Sequence, residues 1–172
     1  MKPTSVATGP TRTLPGGLDD AGALHRGRRG RVDEAADRFD HAYALGCQLA
    51  DPCWEGIAGR GLGLVAATRG DAQGATAIRL DTLGRCDRLP DAYVWGGAYV
   101  LDSLCELGIA QGDERAPAWV DQLMKISARA GMREQVARAH RHRARLGEPG
   151  AAEAARFLAG EIDNPVFDGI LG

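Results

Sequence analysis

The stretch GRGLGLVAATRGDAQGA, residues 59–75, decides how this chain folds. Gly61, Gly63 and Ala66 spell G-x-G-x-x-A, close to the fingerprint by which a strand–turn–helix unit cradles a dinucleotide pyrophosphate. The same letters also read as the end of one helix, a break at Gly70-Asp71, and the start of a second helix. The fingerprint needs a buried strand before Gly61. DPCWEGIAGR, residues 51–60, lacks that character, and no alternation of strands and helices follows. Asp81 stands where a ribose-binding acid would be, but a lone acid at that spacing is commonplace. The helical reading prevails, with one awkward feature: Gly56, Gly59, Gly61 and Gly63 all fall in one helix. Glycine in an exposed helix interior costs about 0.8–1 kcal/mol relative to alanine. Close approach of neighbouring helices would offset that.

Outward from this joint the pattern stays helical. Residues 31–50 place Val32, Ala35, Ala36, Phe39, Ala42, Tyr43 and Gly46 on one face, with Asp33, Glu34, Asp37 and Asp40 opposite. Pro52 ends this helix and opens the next, 52–69, whose stripe is Trp54, Ile57, Ala58, Gly61, Leu62 and Val65. Gly70 closes that helix and Asp71 caps a third, 71–88, with Ala75, Ile78, Thr82 and Cys86 on its stripe. After Pro90 come 91–111, 114–130, 132–146 and 149–162. Gly30, Gly70, Gly112 and Gly147 each read as a break between two helices, at separations of 40, 42 and 35 residues. A unit of this length, repeated about four times, belongs to helical solenoids. The expected fold is all-α: a tetratricopeptide-like helical-repeat solenoid of about four antiparallel helix pairs over residues 18–165. A disordered tail, 1–17, precedes it and a short tail, 166–172, follows.

Composition agrees with close-packed helices. Of 172 residues, 44% are hydrophobic but only 5% aromatic, so the core must be built from Ala, Leu, Val and Ile. The three tryptophans, Trp54, Trp95 and Trp119, read as large plugs in that core rather than a ligand cage. A net charge of −2 gives no global pull toward nucleic acid or anionic membrane. Cys47, Cys53, Cys86 and Cys105 form no C-x-x-C, and they read as reduced, mostly buried thiols. No apolar run approaches a membrane span, and the N-terminus has no apolar signal-peptide core, so a cytoplasmic location is expected.

RAGMREQVARAHRHRARLGEPGAAEAARFLAGEIDNP, residues 129–165, is the most distinctive segment. It resembles the C-terminal arm of large ATP-binding bacterial transcriptional regulators of the LuxR, MalT-like and SARP kinds. DPCWEGIAGRGLGLVAATRGD, residues 51–71, looks like a repeat of the same arms. The resemblance covers residues 20–165 and implies a tetratricopeptide-like array that senses inducers or partners and restrains a switch. This chain has no G-x-x-x-x-G-K-[ST] loop and no identifiable DNA-binding module, so neither ATP nor DNA binding is carried over.

No spacing joins His25, His41 and Cys53 into a catalytic group. Asp102 and Glu106, one helical turn apart, form a commonplace surface acid pair. HRHRAR, residues 140–145, with Arg129, Arg133 and Arg138, could touch a phosphate backbone, or could be a solvated helix balanced by acids such as Asp121 and Glu153. His140 and His142, two apart, diverge on a helix and cannot share a metal. A groove is the better candidate. Counting back from the turn glycines, the first helices of successive pairs present Arg60, Leu64, Asp102, Glu106 and Arg141, with Tyr99 one turn before Asp102. Arg60, Tyr99, Asp102, Glu106 and Arg141 are the expected partner-binding residues. No catalytic, cofactor or metal residue is assigned. The expected function is a non-catalytic scaffold, the interaction or sensor arm of a transcriptional regulator. Its partner would be a protein, a peptide or another regulator domain. Self-association is a further option, since no polar cap follows Ile162 and the tail PVFDGILG is apolar. Two alternatives are a DNA-associated regulator using 129–145 and a nucleotide-dependent enzyme using 59–66.

Overall fold

Capping chemistry sets where the helices begin and end. Asp51 accepts hydrogen bonds from the backbone N–H of Cys53 (2.9 Å) and Trp54 (3.3 Å), and Asp71 accepts one from Gly74 (2.8 Å). Gly70, Gly112, Gly131 and Gly147 take positive φ in the turns, where a side chain would be strained. The computed structural model describes residues 19–88 and 94–162, with side chains from residue 30 onward. Among these residues there are seven helices and no strand. They are α1 (Asp19–Leu49), α2 (Pro52–Thr68), α3 (Ala72–Cys86), α4 (Val94–Gln111), α5 (Ala116–Arg129), α6 (Arg133–Arg145) and α7 (Ala151–Gly160). The all-α expectation holds, and apart from the start of α1, expected at residue 31 and found at Asp19, the described helix bounds agree to within a few residues. One break does not exist: Gly30 lies inside α1, which runs unbroken for 31 residues. The expected tails 1–17 and 166–172 and the interruption at Pro90 lie outside the described residues.

Each helix packs on the next along the chain, and α2 also touches α4, which also touches α6. The first helices after successive connections thus share one layer. Helix α4 sits at its centre, buried on most sides through Ala98, Val100, Leu101, Leu104 and Cys105. Trp119, Val120 and Leu123 of α5 close on it. Each fully buried leucine or valine here contributes roughly 1.5–3 kcal/mol.

The glycines of α2 are contact points. A Cβ on Gly56 would lie 2.8 Å from Cys86 Sγ, one on Gly59 2.4 Å from Thr82 Oγ1, and one on Gly63 2.8 Å from Arg79 Cγ. Positions 56, 59 and 63 thus run antiparallel to 86, 82 and 79 along the α2–α3 seam. Gly61 faces the other way, where a Cβ would sit 2.4 Å from the Phe39 ring of α1. The stripe expected for α2 is therefore corrected. Gly56, Gly59 and Gly63 take the α3 side, and Trp54 (55% exposed) and Ile57 (37%) turn outward. Trp95 is also exposed, and only Trp119 plugs the core. For Trp54 the reason is its place on the helix: two residues from Gly56, it stands on the side of α2 turned away from the α3 seam.

Candidate functional site

Between α2, α3, α4 and α6 lies a groove of about 350 Å³. Its walls include Arg60 and Leu64 from α2, Arg79 from α3, Asp102 and Glu106 from α4, and Arg138 from α6. A second recess of about 260 Å³ lies beside it, bounded by Ile57, Trp95 and Tyr99, and Arg60 borders both. The Trp95 and Tyr99 rings meet edge to face at 6.5 Å. Arg60 Nε donates to Ser103 Oγ (3.0 Å) and to the Tyr99 carbonyl (3.3 Å), and its guanidinium carbon lies 5.7 Å from the Tyr99 ring centroid. A cation over an aromatic face is attracted by the ring quadrupole.

The far wall is ionic. His142, fully buried, donates from Nε2 to Asp102 Oδ1 at 2.8 Å, and Arg138 Nη1 reaches Asp102 Oδ2 at 3.2 Å. The other ring nitrogen, His142 Nδ1, lies 3.9 Å from Glu106, beyond hydrogen-bond reach. Glu106 accepts from Arg145 (2.6 Å) and Arg141 (3.4 Å). The structure thus brings the five expected residues into two neighbouring clusters. Arg60 and Tyr99 touch directly. Asp102, Glu106 and Arg141 are joined through the α4–α6 ion pairs. Asp102 is 8% exposed and serves as the acceptor for a buried imidazole, so it does not offer a free carboxylate.

Sequence reasoning missed Arg79, Ser103 and His142. Arg79 had a signal: it falls between Ala75 and Thr82 on the apolar stripe of α3, a charged residue in a buried row. It is 3% exposed, and its Nε and Nη1 are buried with no hydrogen-bond partner among the described residues. Burial first, and then the positive charge of Arg60, hold its guanidinium below the ordinary arginine pKa. His142 had a weaker signal, its three-residue step from Ala139 and seven from Gln135, which together form the buried face of α6.

The arginines of α6 face acids. Besides the pairs above, Arg143 meets Asp121 (2.9 Å) and Glu148 (3.6 Å), and Arg133 meets Glu161 (3.7 Å). Asp121 was anticipated as a balancing acid, whereas no ion pair of Glu153 occurs among the described residues. Imidazoles His140 and His142 diverge, His142 inward and His140 partly buried. Burial, and then Arg143, depress the His140 pKa. Segment 59–66 lies wholly within α2, with no strand before it among the described residues. Among the described residues no three His, Cys, Asp or Glu side chains are grouped to hold a metal. All four thiols are free. Cys86 and Cys105 are buried, but Cys53 is only partly so and Cys47 is exposed, which corrects the expectation of mostly buried cysteines. No helix among the described residues is long and apolar enough to cross a membrane.

Comparison of the chain with protein-family models, with curated proteins and with solved structures finds no match to any of them.

Proposed function

We propose that this chain is a non-catalytic scaffold, a tetratricopeptide-like interaction or sensor arm of a transcription-regulating assembly. The observation that supports it is the shared layer of α2, α4 and α6 with a groove along it, its rim carrying exposed apolar side chains. Ile57, Leu64 and Trp95 are each 37–41% exposed on this face, next to charged neighbours. Apolar anchors beside polar groups are how interaction surfaces combine affinity with specificity. Neither alternative has an observation in its favour. The α6 arginines are matched by carboxylates, and the glycines of 59–66 are occupied by the side chains of Thr82, Phe39 and Arg79.

The test is a two-hybrid assay of the full chain against ATPase and DNA-binding proteins encoded beside its gene. At least one should pair with it. The double variant Ile57→Asp/Leu64→Asp should weaken pairing about tenfold or more with the helical circular dichroism unchanged. No pairing, or pairing that the double variant leaves intact, counts against the reading. Salt-sensitive binding to duplex DNA by fluorescence anisotropy would favour the DNA alternative instead.

A further inference from the structure

The groove holds two guanidinium groups that no acid among the described residues neutralises. Arg79 is nine-tenths buried and more, lines the groove, and makes no hydrogen bond or ion pair among the described residues. Arg60 bonds only through Nε, to a hydroxyl and a carbonyl, and has no ion pair among the described residues. A buried charge without a counter-charge is strongly unfavourable, so native structures pair or neutralise it. The two carboxylates in the groove are already taken. Asp102 serves His142 and Arg138, and Glu106 serves Arg141 and Arg145.

The side chain of Arg79 is also positioned. Its stem lies across Gly63, where a Cβ would come within 2.8 Å of Cγ and 3.2 Å of Nε. The absence of a side chain at 63 is what admits the guanidinium to the groove. Besides Ser103 and Arg138, the remaining lining is apolar: Leu64 and Ala67 from α2, and Leu107 and Ala110 from α4. A volume of about 350 Å³ is at the lower end of pockets that hold a small organic ligand.

We infer that this groove binds a small organic anion, its carboxylate or phosphate held by Arg79 and Arg60 and its apolar body lying between Leu64 and Leu107. Guanidinium suits this task because its planar fork matches both oxyanions. The inference goes beyond the scaffold reading and stands or falls separately from it: a silent two-hybrid assay leaves it untouched, and absent anion binding leaves partner docking untouched.

The test is isothermal titration of the full chain with sodium octanoate, octyl phosphate, inorganic phosphate and neutral 1-octanol, backed by thermal shift. One of the two amphiphilic anions should bind saturably and raise the melting temperature, and which one does so tells carboxylate from phosphate. Octanol and inorganic phosphate should bind at least about tenfold more weakly, each lacking one half of the ligand. Arg79→Met should weaken anion binding about tenfold or more while leaving the unliganded protein equally or more stable, because it removes an unpaired buried charge. Arg60→Gln and Gly63→Ala should each weaken it too, and they carry the test if Arg79→Met does not fold. Octanol binding as tightly as octanoate, inorganic phosphate binding as tightly as octyl phosphate, no saturable binding, or unchanged affinity in all variants that fold would overturn the proposal.

Discussion

Two arginines enter the same groove from opposite sides, and their surroundings differ. Arg138, on α6, reaches Asp102 at 3.2 Å and Glu134 at 3.0 Å, so its charge is answered within the protein. Arg79, on α3, is answered by nothing among the described residues and lies over a glycine. The seams that carry them differ in kind. The α4–α6 seam is held by polar pairs, with Arg138, Arg141 and Arg145 facing two carboxylates and His142 hydrogen-bonded to one of them. The α2–α3 seam is held by shape, with glycines admitting Cys86, Thr82 and Arg79. A seam of shape tolerates no added atoms, and a seam of charge tolerates no missing ones.

The largest effect is expected where the charged seam loses its acceptor. Asp102→Ala leaves a buried imidazole and the Arg138 guanidinium without their shared carboxylate. Breaking a buried pair in this way costs about 3–5 kcal/mol. Urea unfolding of wild type and variant measures it. A loss under about 1 kcal/mol would show that Asp102 is replaceable and that apolar packing holds α6 in place.

Next comes the seam of shape. Gly59→Ala sets a methyl against Thr82, which is 1% exposed, β-branched and bonded through Oγ1 to the Ile78 carbonyl at 2.7 Å, so it cannot turn aside. Overpacking of this kind costs about 1–3 kcal/mol, against about 1 kcal/mol regained from helix propensity, for a net loss of up to about 2 kcal/mol. Cys86 reports on it locally. Burial pushes this thiol up to about 11, so at neutral pH it is protonated and shielded. A seam wedged open should let a disulfide reagent reach Cys86 faster than in wild type. Unchanged reactivity together with unchanged stability would mean that the seam yields freely.

The same contrast explains what could be read from the letters alone. Helix existence and bounds were readable because caps and periodicity act locally. The seven expected α1 positions from Val32 to Gly46 are the ones that are buried or half-buried between residues 31 and 50. The break at Gly30 was misread because a glycine within a helix looks the same as one beyond its end. Only tertiary contact, or left-handed φ as at Gly70 and Gly112, tells them apart. Arg60, Tyr99, Asp102, Glu106 and Arg141 could be placed on one face by counting turns. Their partners could not, because Arg79 comes from the second helix of a pair and His142 pairs across 40 residues. Tryptophan burial failed for a related reason. Hydrophobicity favours the interior, but the glycines decide which side of α2 packs on α3, and Trp54 stands on another side.

Gly84 supplies the smallest expected effect and the sharpest contrast with Gly59. It lies in α3, exposed, and a Cβ there would meet nothing within 4 Å. No helix among the described residues faces it, so only backbone entropy is at stake. Gly84→Ala should raise stability by about 0.5–1 kcal/mol, opposite in sign to Gly59→Ala. Thermal melts of the two variants on one plate decide the matter. If both substitutions stabilise, the α2 glycines are lapses of helix propensity and the seam has slack. If both destabilise, α3 has a neighbour on its outer face. Opposite signs are what a seam fixed by the absence of side chains requires. They would also support the role given to Gly63, the third glycine of that row, in admitting Arg79 to the groove.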